Sequence, residues 1–167
     1  PCFFAPNHES KLDAFLVLSY LDKTALNNTF SYAKKDHVNS RLRRYVASRS
    51  NVIVMDLSKD LKHSIQKMAE VVKQGKKILI FPEGTRTLSG ELGQFKKTYA
   101  ILSTELNVPV VPVVIDGAYA AMSSGAKKIK WGEHISVEFL PPVYPENMTP
   151  EALNDLVRQK VVEAKSR

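Results

Sequence analysis

Cysteine is almost missing from this 167-residue chain: Cys2 stands alone, so no internal disulfide framework can brace the fold. A reduced, cytosolic setting is the default that follows. No apolar run approaches the roughly 18 residues that suggest a membrane-crossing helix. No charged segment leading into an apolar one marks a signal peptide. Three devices of common enzyme classes are absent too. Without a Gly-x-Ser-x-Gly elbow or a well-placed catalytic cysteine, there is no obvious nucleophile for a covalent acyl-enzyme. Without a Gly-Lys-Ser/Thr loop ending there is no Walker A site, and no Gly-x-Gly-x-x-Gly follows a strand. His37, His63 and His134 show no metal-ligand spacing, so neither a metal nor a resident cofactor is expected. Internal repeats and low-complexity tracts are missing as well.

What is present is the composition of an ordinary globular protein, 44% hydrophobic and 25% charged. The length suits one domain with a sizeable core. His8 lies close to the first residue, so residues 1–167 are expected to be a domain excised from a longer polypeptide or truncated at its N-terminus. A membrane anchor upstream would lie outside them. The formal net charge of +7 and a pI near 9.5 favour anionic partners. The bases fall in short groups, such as Lys34-Lys35, Arg41 to Arg44, Lys76-Lys77, Lys96-Lys97 and Lys127 to Lys130, and not on one helical stripe. With no aromatic platform or recognition motif beside them, nucleic acid is not expected as a partner. An anionic surface or a phosphorylated substrate is.

Short apolar runs alternate with helical periodicity along the chain. A first helix is expected from about Ser10 to Leu21, a strand at Thr29 to Ala33 and a helix at Val38 to Ala47. Val52 to Met55 reads as a buried strand, Asp60 to Lys73 as a helix and Ile78 to Phe81 as another buried strand. Phe95 to Leu106 reads as a helix and Val108 to Ile115 as a strand containing Pro109 and Pro112. Ile135 to Leu140 alternates as a half-exposed strand does. Thr149-Pro150-Glu151 has an N-cap hydroxyl followed by proline at the first helical position, opening a helix to about Ala164. Strand and helix in this rhythm predict a single α/β domain with a largely parallel central sheet covered by helices. Ligands bind such sheets at the carboxyl ends of the strands. Pro82 to Arg86 lies just past one of those ends.

Two segments carry chemistry. Asn7-His8-Glu9-Ser10-Lys11-Leu12-Asp13 offers a histidine and an aspartate with four residues between them. On one straight helix that spacing rotates through roughly 500°, leaving the side chains about 140° apart. They meet only if His8 sits in the turn before the helix and Asp13 in its first turn. The carboxylate would then fix the imidazole tautomer and leave the other ring nitrogen free to take a proton. The local alternative is a capping box made by Ser10 and Asp13, with His8 a surface loop residue. The two are compatible, because one carboxylate can serve both. In Phe81-Pro82-Glu83-Gly84-Thr85-Arg86, the arginine gives a planar donor fork suited to phosphate. The glycine permits close backbone approach. A tight turn with a surface Glu–Arg pair is the alternative there. The prolines of Val108 to Val113 suit an edge strand or a cleft wall. Lys127-Lys128-Ile129-Lys130-Trp131 interleaves bases with apolar residues, which suits either a lipid headgroup interface or a solvated turn.

On these residues the chain resembles the glycerolipid acyltransferases of the 1-acylglycerol-3-phosphate acyltransferase (PlsC-like) family. Their Asn-His-x-x-x-x-Asp signature is matched by Asn7, His8 and Asp13, and their Phe-Pro-Glu-Gly-Thr-Arg signature by Phe81 to Arg86, with Gly90 beyond it. Their Val-Pro-x-x-Pro-Val strand is matched by Val108 to Val113. The second signature departs: Val52 to Asp56 is followed by Leu57, Ser58 and Lys59, where the family has an arginine. Lys59 would be a point charge there and not a fork. This similarity extends to acyltransferase domains fused to acyl-carrier-protein synthetases.

The resemblance implies fatty acyl transfer from acyl-CoA or acyl carrier protein to a hydroxyl of a lysophospholipid or glycerol 3-phosphate. It implies His8 as general base oriented by Asp13, with Glu83, Gly84, Thr85, Arg86 and Lys59 at the acceptor. It also implies work at the cytoplasmic face of a membrane, peripherally or through an anchor elsewhere. A lipid-binding domain that keeps the fold without turnover is the alternative.

Overall fold

The computed structural model describes residues 1–34, 51–55 and 61–166. The expected helix at Val38 to Ala47, and Lys59, lie outside the described residues. Among those described, the strands are β1 (Cys2–Pro6), β2 (Thr29–Lys34), β3 (Val52–Met55), β4 (Lys77–Leu79), β5 (Val110–Asp116) and β6 (Ser136–Phe139). The helices are α1 (Asp13–Ser19), α2 (Lys23–Asn27), α3 (Leu61–Lys73), α4 (Thr98–Leu106), α5 (Ala118–Ala121) and α6 (Pro150–Lys165). The strands form one sheet in the order β3-β2-β4-β1-β5-β6. Every pairing is parallel except β5 with β6. The expected α/β architecture is what the chain adopts.

β1 lies centrally and all five of its residues are buried. That explains its unbroken apolar sequence, since a parallel strand covered on both faces has no polar side to display. Alternation splits it between two cores. Phe3 and Ala5 join Met68 of α3, Tyr99 of α4 and Leu153, Val157 and Val161 of α6. Cys2 and Phe4 face the other way, with Val17 of α1, Leu79, Ile115 and Ala118 of α5. The two faces together bring the carboxyl ends of β1, β4 and β5 to one edge.

Several boundaries differ from expectation. α1 begins at Asp13 because residues 9–12 are spent on a turn around the Asp13 carboxylate. β4 ends at Leu79, and α4 begins at Thr98 and not at Phe95. Of the two readings of the proline-bearing strand, edge or cleft wall, the edge is corrected. β5 is no edge strand, for it pairs with β1 on one side and β6 on the other. Pro112 is tolerated because its carbonyl accepts Leu140 N–H (2.9 Å), while its missing donor falls in a gap. That gap lies between the β6 ladder and the isolated bridge of Val110 with Val143, where Pro141-Pro142 leaves the sheet. α6 starts as read: Thr149 Oγ1 accepts Ala152 N–H at 3.2 Å and Pro150 opens the helix.

Candidate active site

The turn after β1 is organised by two side chains. Asn7 Nδ2 donates to Ile115 O (2.8 Å) and its Oδ1 accepts Ile115 N–H (2.7 Å), so an amide side chain prolongs the β1–β5 ladder past the strand end. Asp13 is fully buried, and its Oδ2 accepts the main-chain N–H groups of Glu9 (2.6 Å) and Ser10 (2.8 Å). The same oxygen lies 2.8 Å from His8 Nδ1. Both sequence alternatives therefore hold at once, although the capping box is only half formed, since Ser10 Oγ accepts Leu12 N–H (3.2 Å). The His8 side chain keeps 16% exposure. Its ring stacks on Phe81, with centroids 4.1 Å apart and planes at 24°. No described residue engages its Nε2.

The second motif meets the first by strand register. Phe4 pairs with Leu79, Ile80 N–H donates to Phe4 O (3.0 Å), and Thr87 N–H donates to His8 O (2.8 Å). Glu83, expected at the acceptor, turns inward. One of its oxygens accepts His8 N–H (2.7 Å) and the other accepts Gly93 N–H (2.8 Å). Burial pushes the Glu83 carboxyl above the usual carboxylate range, against the opposing effect of those two bonds. Gly93 is needed for this approach, because a Cβ there would sit 2.8 Å from Glu83 Oε2. Glu83 therefore shapes the site from behind and offers no free oxygen to a ligand.

Gly84 has φ +71°, Thr85 is exposed, and Arg86 is half-buried with Nη1 donating to Ser124 O at 3.4 Å. That contact leaves most of the guanidinium fork for an anion. Lys96 was not marked by any sequence signal beyond its charge. Its ammonium hangs over Gly84, where an added Cβ would come within 2.8 Å of Nζ. The loop thus carries two cations.

Glu9, beside His8, is also occupied and buried. Oε2 accepts Tyr119 N–H (2.9 Å), and Oε1 pairs with Lys165 at the far end of α6. Burial alone would lower the Lys165 pKa, yet Glu9 and Asp116 together hold it above its ordinary value. Arg158, two turns earlier on α6, donates from Nε to Gly93 O (3.1 Å). One helix therefore contacts both the turn after β1 and the loop after β4. A groove of about 590 Å³ opens beside this clamp, walled by Glu9, Tyr119, Arg158 and Lys165; His8 does not line it.

A doubly covered, largely parallel sheet, with a histidine held by a buried carboxylate and a two-cation loop at its carboxyl edge, defines an α/β domain whose polar site lies at the strand ends. The Acyltransferase family model matches residues 1–116, so the chain belongs to the Acyltransferase family. It is 30% identical over 159 residues to a 1-acyl-sn-glycerol-3-phosphate acyltransferase of Limnanthes douglasii, covering 93% of this chain and 54% of the relative. With the alpha form of that enzyme from Mus musculus it shares 27% identity over 169 residues, covering 97% of this chain and 58% of the relative. The chain thus spans about half the length of these curated relatives. The crystal structure of the 1-acyl-sn-glycerophosphate acyltransferase PlsC from Thermotoga maritima superimposes with a TM-score of 0.75 at 25% identity, covering 99% of this chain and 66% of that one.

Proposed function

We propose that this chain transfers a fatty acyl group from a thioester, acyl-CoA or acyl carrier protein, to a hydroxyl of a phosphate-bearing glycerolipid. The observation that carries the reading is the 2.8 Å contact of His8 Nδ1 with Asp13, made beside the Arg86 loop. His8 Nε2 takes the proton of the acceptor hydroxyl as its oxygen attacks the thioester carbonyl. The C–S bond breaks, the thiolate leaves, and the imidazolium returns the proton to sulfur, giving an ester and a free thiol. Asp13 holds the tautomer and favours the transient imidazolium. Arg86 and Lys96 take the acceptor phosphate, with Gly84 and Thr85 as the wall beneath it. Glycerol 3-phosphate, lysophosphatidate and lysophospholipids with larger headgroups share this hydroxyl and phosphate. The place of work is the surface of a membrane, where lysophosphatidate and the other lysophospholipid acceptors reside.

The test is a panel of acyl-CoA and acyl carrier protein donors against glycerol 3-phosphate, lysophosphatidate and lysophosphatidylethanolamine, scored by thiol release and ester formation. Transfer to at least one phosphate-bearing acceptor is expected. Folded protein that binds these lipids but transfers to none would replace this reading with a non-catalytic lipid-binding one.

A further inference from the structure

The segment between α5 and β6 borders the proposed acceptor site. Arg86 donates to Ser124 O (3.4 Å), Lys130 N–H donates to Ala121 O (2.8 Å), and the Tyr119 hydroxyl donates to Leu88 O (2.8 Å). The 84–90 loop and the 122–132 segment are thereby joined through α5, at the edge where β1, β4 and β5 end. This rim is not the polar surface expected of an aqueous site. Trp131 is 87% exposed, Leu88 83% and Ile129 39%. Lys127 and Lys128 are exposed among them, while Lys130 pairs with Glu133. Isolated apolar residues on a surface need no explanation. Three of them on two segments joined beside one anion site, interleaved with bases, do.

Resting on the acyl-transfer reading for its purpose but not for its test, we propose that Leu88, Ile129 and Trp131, with Lys127 and Lys128, seat this edge of the sheet on an anionic lipid bilayer. The indole and the two aliphatic side chains enter the headgroup layer, where an amphipathic ring is most favourable. The lysine stems lie along the same apolar surface and their ammonium groups reach lipid phosphates. An exposed indole and aliphatic side chains interleaved with bases match the layered chemistry of an anionic headgroup region, so the combination favours lipid. Docking in this pose brings Arg86 and His8 to the layer that holds the acceptor.

Trp131 is the only tryptophan in the chain, so its emission reports this contact alone. The protein is titrated with diacyl phosphatidylcholine vesicles, with and without phosphatidylglycerol, neither lipid being an acyl acceptor. A blue shift and protection from aqueous iodide are expected with the anionic vesicles only. The Lys127→Glu/Lys128→Glu variant should weaken anionic-vesicle binding at least about thirtyfold. Trp131→Ser should weaken sedimentation with the same vesicles. Both variants should melt as the parent does and keep its turnover on a short-chain, monomeric acceptor. Unshifted emission with anionic vesicles, or a charge-reversed variant that still shifts, overturns the proposal. So does a defect confined to acyl carrier protein donors, which would assign the surface to that carrier. A vesicle-dependent shift in protein that transfers no acyl group would leave the docking in place and remove the catalytic reading instead.

Discussion

Two segments leave adjacent strands at the same edge, and they are held in opposite ways. In the turn after β1, Asn7, Glu9, Ser10 and Asp13 are all buried. Apart from Asp13 Oδ1, which is buried without a partner among the described residues, their side-chain polar atoms are engaged by partners drawn from β5, α5, α6 and the turn itself. In the loop after β4, Thr85, Leu88 and Ser89 are exposed, and Arg86 makes one long contact to a carbonyl. The difference follows the chemistry each segment would perform. A base must be aimed before the substrate arrives, because reorienting it during reaction adds to the barrier. Cations on long arms can follow phosphates attached to acceptors of different size.

The comparison can be broken first at Asp13. Asp13→Asn removes the charge that favours the imidazolium and sets an amide NH₂ against buried main-chain donors. Turnover is expected to fall about 10²–10⁴-fold, with a loss of about 2 kcal/mol in urea denaturation. Wild-type turnover in that variant would show that the carboxylate is only a cap.

The next effect belongs to Lys165→Met, which leaves the Glu9 carboxylate buried without its partner. A fully buried pair broken this way costs about 3–5 kcal/mol. Lys165 retains 18% side-chain exposure, so about 2–3 kcal/mol is expected here. The double variant Glu9→Gln/Lys165→Met should recover most of that loss. The pH dependence has a definite sign. The folded-state pKa of Lys165 lies above its unfolded value of 10.5, so its contribution is complete below that pH and is lost as pH rises through the folded value. Denaturation midpoints of the parent and Lys165→Met should therefore converge in strong alkali; a constant gap would contradict the ion-pair account.

The smallest effect on stability, and the most selective on function, is expected for Arg86→Ala. The loop holds it loosely, so stability should change by less than about 0.5 kcal/mol. KM for a phosphorylated acceptor should rise about tenfold or more while kcat changes little. An unchanged KM would remove Arg86 from the acceptor site.

The family, the parallel sheet and the His8–Asp13 contact were legible because each rests on local pattern. Apolar runs mark doubly covered strands, and a fixed spacing lets a turn fold a carboxylate back onto an imidazole. The contacts that fix the site were not legible. Glu9 and Lys165 lie 156 residues apart, and nothing in the turn announces that the last turn of α6 will return to it. Glu83 read as part of the acceptor site or as half of a surface Glu–Arg pair, because a sequence does not show which side of a loop faces Gly93. Pro112 read as the mark of an edge strand or a cleft wall because proline lacks a donor. The sheet instead absorbs it where the neighbouring chain breaks at Pro141-Pro142. Lys96 was one base among many until the loop placed its ammonium over Gly84.

The central claim is that His8 takes the proton of the acceptor hydroxyl, and the kcat of His8→Ala tests it most directly. His8 is partly exposed and Asp13 keeps its main-chain donors without it, so the variant should fold with a near-parental melting temperature. Its acyl transfer should fall by about 10²–10⁴-fold at every acceptor concentration. Transfer at the parental rate by the folded variant would contradict the account.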